Sequence, residues 1–291
     1  MSGESMLKLV AIIVFAVMAV VNTGGCKHSE PEGLQFVGTD KLEQKKGEAK
    51  NVVVVTHGWI EEGRGGWVEY TAAAIQKRVE PNEWFCGYFD WHKGAKSLNA
   101  TSAAKYARDI AGPRLAEEIM KTGGDLGHIH LIGHSSGCWV ISEAARILAK
   151  ETKADLHLTF LDAYVSVFWE ESLLGDVNAA ADVNCWVEQY YTCDYTLGWT
   201  QYDLSMAHNV DVTDIDQKLK DHNFPWKWYY ATVTGKYPEG YFLDDDKLVT
   251  RGGGVEYGFA RSREASIDGW DESLKLAVGN KAVKMKKKAR R

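Results

Sequence analysis

The apolar positions of this chain fall into short continuous runs separated by helical stripes. Asn51 to Thr56 contains four consecutive valines, a run that suits a strand buried on both faces, as in a parallel sheet. Val68 to Val79 follows with the spacing of an amphipathic helix. Trp84 to Trp91 is apolar almost throughout and reads as another strand. Ser102 to Lys121 predicts a long helix with Ala103, Ala107, Ile110, Ala111, Leu115 and Ile119 on its buried face. Pro113 starts or kinks its second half, and Thr122-Gly123-Gly124 ends it. Ile129 to Ile132 alternates as a short strand, Trp139 to Leu148 returns to helical spacing, and Leu156 to Leu161 is strand again. Met206 to Val212 reads as the last strand, and a helix begins near Pro225 and takes in Trp228, Tyr229 and Tyr230. Strands alternating with helices predict an α/β fold, a mostly parallel central sheet with helices on both faces.

Two stretches depart from that alternation. Val165 to Gly198 is irregular and aromatic, with Phe168, Trp169, Trp186, Tyr190, Tyr191 and Tyr195. It has the length of an excursion over one face, serving either as the wall of an apolar cleft or as a packed aromatic loop. Lys27 to Lys50 is polar and reads as a tether, with Leu34 to Val37 adding an edge strand. The folded domain is therefore expected over 51–280, and 281–291, with seven basic residues, as a disordered tail that touches anionic head groups in one reading.

The first 26 residues are set apart from the fold. Lys8 precedes an apolar run from Leu9 to Val21, and small residues then lead to Cys26. That is the layout of an export signal. The ending is similar to a lipobox, in which Cys26 is lipidated, although Thr23 stands where an aliphatic residue is usual. A cleaved signal and an uncleaved anchor are the alternatives, and all three export the chain and offer it a membrane through its N-terminus. Export permits disulfides, and Cys185 and Cys193 are placed to close a small loop, while Cys86 and Cys138 read as buried thiols. No Cys/His cluster has zinc spacing, so neither a metal nor another cofactor is expected. The chain has 291 residues, a net charge of −6, 45% hydrophobic residues and 25% charged ones. These values fit one domain of ordinary size and argue against a nucleic-acid partner. Oligomeric state is not encoded in any of these patterns.

The candidate chemistry centres on Gly133-His134-Ser135-Ser136-Gly137, a G-x-S-x-G sequence between a strand and a helix. The turn is so tight that a side chain at Gly133 or Gly137 would clash, and it places Ser135 at the tip, where the helix N-terminus favours negative charge. A serine there acts as a nucleophile when a histidine takes its proton and an acid orients that histidine. Asp162, at the end of the following strand, is the preferred acid over Asp194, Asp203 and Asp211. His222, after the last strand, is the preferred base over His208. Backbone N–H groups of Trp59 and Ser136 are expected to hold the developing oxyanion. His57 is expected to tie its own loop, and Asp90 to tie a turn.

Four blocks together resemble the pancreatic-lipase-type branch of the α/β-hydrolases. They are Val52-Val53-Val54-Val55-Thr56-His57-Gly58-Trp59-Ile60 with Trp67, Phe89-Asp90-Trp91-His92-Lys93-Gly94-Ala95, His130 to Gly137, and Phe160-Leu161-Asp162-Ala163. The likeness runs from about Asn51 to Tyr230. It implies a serine hydrolase that cleaves carboxylic esters of lipid or acyl type through an acyl-enzyme, with Ser135, His222 and Asp162 as triad. Ser136 stands where that family has leucine, and Ala163 where it has proline. A cysteine-bounded lid is not recognisable, and the remaining length is too short for the family's C-terminal sandwich. An amidase, peptidase or thioesterase on the same fold, or a membrane-anchored binding protein without turnover, are the alternatives.

Overall fold

One eight-stranded sheet organises the chain, with strands in the order β1-β3-β2-β4-β5-β6-β7-β8. The computed structural model describes residues 32–37, 50–122, 124–166, 171–177, 184–193, 200, 203–215, 221–238, 257–265 and 283–284. Its elements are β1 (Gly33–Phe36), β2 (Asn51–Thr56), α1 (Trp67–Gln76), β3 (Trp84–Asp90), α2 (His92–Ala95), α3 (Ala100–Tyr106), α4 (Gly112–Met120) and β4 (His128–His134). They continue as α5 (Gly137–Glu151), β5 (Asp155–Leu161), β6 (Cys185–Tyr191), β7 (His208–Asp211), α6 (Phe224–Thr234) and β8 (Val283–Lys284). Only β1, at the edge against β3, runs antiparallel; every other pairing is parallel. This is the α/β-hydrolase arrangement. Among the described residues no helix is long and apolar enough to cross a membrane. The export segment and Cys26 lie outside the described residues.

The valine run of β2 explains the two layers. Val52 and Val54 enter one core, packed with α3, α4 and α5, while Val53 and Val55 enter the other, packed with α1 and α6. All four are fully buried. A strand covered on both sides gains nothing from polar alternation, so it is apolar at every position.

The expected helix over Ser102–Lys121 is divided. Between α3 and α4, Ala107–Ala111 forms a π-helical turn, and the Gly112 N–H reaches the Ala107 carbonyl. Pro113 lacks an N–H, so a regular α-helical ladder cannot pass through it. The wider turn rotates Ile110 outward, to 52% exposure, while Ala107, Ala111, Leu115 and Ile119 stay buried. The placement of Ile110 on the buried face is thus corrected.

Three further expectations are corrected in the C-terminal half. The aromatic stretch after Val165 is no simple excursion, because its residues 185–191 form β6, an interior strand between β5 and β7. Phe168, Trp169 and Tyr195 lie outside the described residues. Cys185 opens that strand and Cys193 lies beyond its end, and both are free thiols. A strand advances about 3.3 Å per residue, so β6 alone carries the chain roughly 20 Å from Cys185 before Cys193 is reached, several times a disulfide's reach. Last, β7 is not terminal in the sheet. Val283 and Lys284 pair with Val210 and Asp211, so the sheet takes in residues on both sides of the expected 51–280 limits.

Candidate active site

The chain leaves β2 for β3 on one side and returns to β4 on the other. Connections therefore diverge between β2 and β4, which opens a crevice at their carboxyl ends. The candidate residues gather at this rim. Residues with positive φ other than glycine mark it, for Ile60 (φ 65), Ser135 (φ 53) and Asp162 (φ 50) follow the ends of β2, β4 and β5. Such backbone is costly for side chains with a Cβ and persists where surrounding contacts hold it.

Ser135 occupies the turn between β4 and α5. A Cβ on Gly133 would meet the Gly137 carbonyl oxygen at 2.9 Å, and one on Gly137 would meet the His57 carbonyl oxygen at 2.3 Å. Both glycines are thus required by close backbone approach, as the motif predicts. The Ser135 N–H donates to the Leu161 carbonyl at 3.0 Å, and the Tyr164 N–H donates to the Ser135 carbonyl at 3.2 Å. These two bonds bracket Asp162 and lock the serine turn to the acid turn.

Asp162 is fully buried. Its Oδ1 accepts the Thr192 N–H at 2.8 Å, and its Oδ2 lies 2.6 Å from Nδ1 of His222. An Nδ1–H donated to the carboxylate leaves the Nε2 lone pair of His222 as the basic atom. The His222 side chain is 23% exposed, so the imidazole is reachable while its partner is not. His222 sits in a turn ahead of α6, where Asp221 accepts the Asn223 N–H at 2.9 Å and binds Lys227 at 2.5 Å. The structure therefore brings Ser135, Asp162 and His222 to one rim. It sends the rivals elsewhere. His208 is buried within β7, Asp203 accepts the Tyr191 hydroxyl, and Asp211 accepts the Thr213 N–H. Asp194 lies outside the described residues.

The loop after β2 packs against the nucleophile, since a Cβ on Gly58 would fall 2.9 Å from that of Ser135. Trp59 is fixed by its indole, which donates to the Ser97 carbonyl at 2.8 Å. Its neighbours' N–H groups are committed, Gly58 to Glu61 at 2.8 Å and Ile60 to the Ala95 carbonyl at 3.1 Å. Ser136 is the N-cap residue of α5. His57 ties the loop, with Nδ1 3.0 Å from the Gly58 carbonyl, its ring stacked on Trp91 and its carbonyl receiving the Trp91 indole at 2.9 Å. Asp90 accepts the His92 N–H at 3.0 Å. Burial pushes its carboxyl up, yet His57 and the bonds to His92 override this and hold it at about 2.

Two residues of the site carried no role in the sequence reading. Glu61 accepts from Gly58, from the Trp67 indole at 3.2 Å and from Nδ1 of His134 at 3.3 Å. Nε2 of His134 donates to the His222 carbonyl at 3.1 Å, and the two rings lie 4.6 Å apart. Burial opposes charge on both members of the Glu61–His134 pair, but their mutual attraction prevails. Glu61 is held at about 2 and His134 is raised. One carboxylate thus anchors the Trp59 loop and, through His134, the backbone of His222. The signal in the sequence is slight, an acid three residues after Gly58. A separate cavity, lined by Arg108, Trp139, Glu143, Arg146 and Leu173, shares none of the triad residues.

A family model described as Lipase matches residues 26–179, over half of the chain. Pancreatic lipase-related protein 2 of Rattus norvegicus is 29% identical over 98 residues, 32% of this chain and 20% of that protein. Its Mus musculus counterpart is 29% identical over 98 residues, 32% of this chain and 19% of that protein. The chain thus spans about a fifth of the length of these curated relatives. A solved structure described under two metagenome-derived lipolytic enzymes, LipS and LipT, is similar at 8% identity and a TM-score of 0.27, covering 52% of this chain and 53% of that one.

Proposed function

The chain belongs to the Lipase family, and on that premise we propose that it hydrolyses carboxylic esters, with lipid or acyl esters as the substrate class, through a Ser135-His222-Asp162 triad. The observation that carries this reading is the 2.6 Å contact of Asp162 with Nδ1 of His222 beside the strained Ser135 turn. Nε2 of His222 takes the Ser135 hydroxyl proton as Oγ attacks the ester carbonyl. The oxyanion forms against the N–H groups of Trp59 and Ser136, each worth about 3 kcal/mol of transition-state stabilisation. Collapse expels the alcohol, which receives the proton from His222. Water, deprotonated by His222, then attacks the acyl-enzyme and releases the acid. The buried Asp162 carboxylate keeps the imidazole in the Nδ1–H form throughout and balances its transient charge.

The test is covalent labelling by a fluorophosphonate, followed by turnover of a chromogenic ester series and matched amides. Labelling is expected in the native protein and absent in Ser135→Ala and His222→Ala. A folded native protein that takes no label overturns the reading, and faster turnover of amides than of esters moves it to an amidase. The N-terminal segment is further proposed to export the chain and to hold it at a membrane through Cys26. Cys26→Ser is then expected to release the protein from the membrane fraction, and retention would overturn lipidation.

A further inference from the structure

Away from the rim, the sheet face beneath α1 and α6 carries a row of buried histidines. His128 and His130 come from β4, His157 from β5 and His208 from β7. Register sets His130 beside His157, Thr159 beside Glu188, and Glu188 beside His208. A short 3₁₀ turn at Arg263–Ala265 lays Glu264 over this row. His128, His157 and the side chain of Glu264 are fully buried. One donor atom from each lies within 4.8 Å of the others.

Neighbouring groups hold two of these three, His157 and Glu264, in place. Nε2 of His157 meets Oε1 of Glu188 at 3.2 Å, which fixes the ring beside His128 and Glu264. Glu188 is itself fixed by the Thr159 and Tyr190 hydroxyls, each at 2.8 Å. Oε1 of Glu264 pairs with Nδ1 of His130, whose Nε2 rests 2.8 Å from the Thr159 hydroxyl. Oε2 of Glu264 is buried and has no hydrogen-bond partner among the described residues. A carboxylate oxygen in that position is expensive unless a cation or donor meets it. Backing of histidine ligands by carboxylates is the usual support of a metal centre.

We propose that His128, His157 and Glu264 bind one divalent transition-metal ion of the zinc class. Two imidazoles and one carboxylate suit zinc, cobalt or nickel, whereas calcium and magnesium take oxygen ligands. Bonds of about 2.1 Å at tetrahedral angles place donors about 3.4 Å apart, so the side chains close by about an ångström on binding. The ion satisfies the second oxygen of Glu264 and staples the 257–265 segment onto β4 and β5. Arg263, which faces His128, is engaged by Asp155 at 3.1 Å. This site lies outside the proposed triad and does not depend on it.

The experiment takes the full chain without a histidine tag, strips it with a chelator and titrates it with Zn²⁺. One equivalent is expected to bind, raising Tm by about 8 °C at a thousandfold excess over Kd. X-ray absorption at the zinc edge is expected to show two imidazole nitrogens, carboxylate oxygen and no sulfur. Glu264→Gln and, independently, His128→Asn are expected to lose the bound equivalent. A folded native protein that binds no zinc overturns the proposal. So does a sulfur-containing shell, or stoichiometric binding retained by either folded variant. Where both variants fail to fold, the stoichiometry and ligand shell of the native protein decide alone.

Discussion

The molecule uses the same chemical pair, an imidazole against a carboxylate, at two depths. At the rim, His222 meets Asp162 with its side chain 23% exposed. Within the slab, His130 meets Glu264 and His157 meets Glu188, with all four side chains at 0%. An imidazole with one face in solvent can accept a proton and pass it on. One enclosed on every side can only hold its neighbours, because each change of charge must be met without water. The backbone differs in parallel. At the rim, the residues that follow the ends of β2, β4 and β5 take positive φ, whereas the slab histidines sit in ordinary strand register. Strain gathers where the proposed chemistry needs an aimed hydroxyl, and regular pairing is kept where only cohesion is required.

The largest effect expected separates activity from stability. Asp162→Asn keeps the shape of the rim but favours the wrong His222 tautomer, and kcat on a chromogenic ester should fall about 10³–10⁴-fold. The urea midpoint should move far less than activity does. Equal loss of both would mean that the rim pair holds structure as the slab pairs do. The mirror experiment is Glu264→Ala, which leaves His130 buried beside an empty place. Stability should fall by about 3–5 kcal/mol in urea unfolding, while kcat of the folded fraction stays within about threefold of native. A kcat collapse in folded Glu264→Ala would erase the distinction between the two regions.

The rim was the more legible region because its signals are local. Ser135, Asp162 and His222 each follow or precede a recognisable element, and Gly133 and Gly137 announce the turn by themselves. The slab was hidden because its logic is cross-strand. Glu188 and Gln189 break the apolar pattern of β6, so the strand reads as loop until His157 and Asn209 are seen to satisfy them. The spacing of His128, His157 and Glu264 matches no local metal motif, since sheet register and a distant turn bring them together. Ile110 was misplaced for a local reason of another kind, a π turn ahead of Pro113 that shifts the helical phase. The Cys185–Cys193 pairing failed with β6, since a loop that becomes a strand carries its ends apart.

Glu61 offers a finer test at the rim. Glu61→Gln keeps an acceptor for the Gly58 N–H but removes the charge facing His134. His134 should lose its raised pKa, and kcat should fall about tenfold with little change in KM. Nuclear magnetic resonance of the His134 ring follows the first effect directly. An unchanged His134 titration with normal turnover would restrict Glu61 to loop packing.

The smallest effect, per pH unit, comes from the slab and has the opposite pH sense to that of a paired, raised histidine. Burial lowers His128 from 6.5 to about 3, and lowers His157 and His208 as well. Between those limits the unfolded chain binds protons that the folded one refuses. The penalty from these lowered histidines is therefore absent above about pH 6.5 and grows as pH falls toward 3. Each such histidine contributes a slope of at most about 1.4 kcal/mol per pH unit. Glu264 and Glu61, both held at about 2 against an ordinary 4.5, add to the loss only below pH 4.5. Urea unfolding of the chelator-stripped protein from neutral pH to about 5 isolates the histidine contribution. His128→Leu should flatten the slope across that window. An unchanged slope in the folded variant would mean that water reaches the slab, and the contrast in depth between the two imidazole–carboxylate sites would no longer explain their different roles.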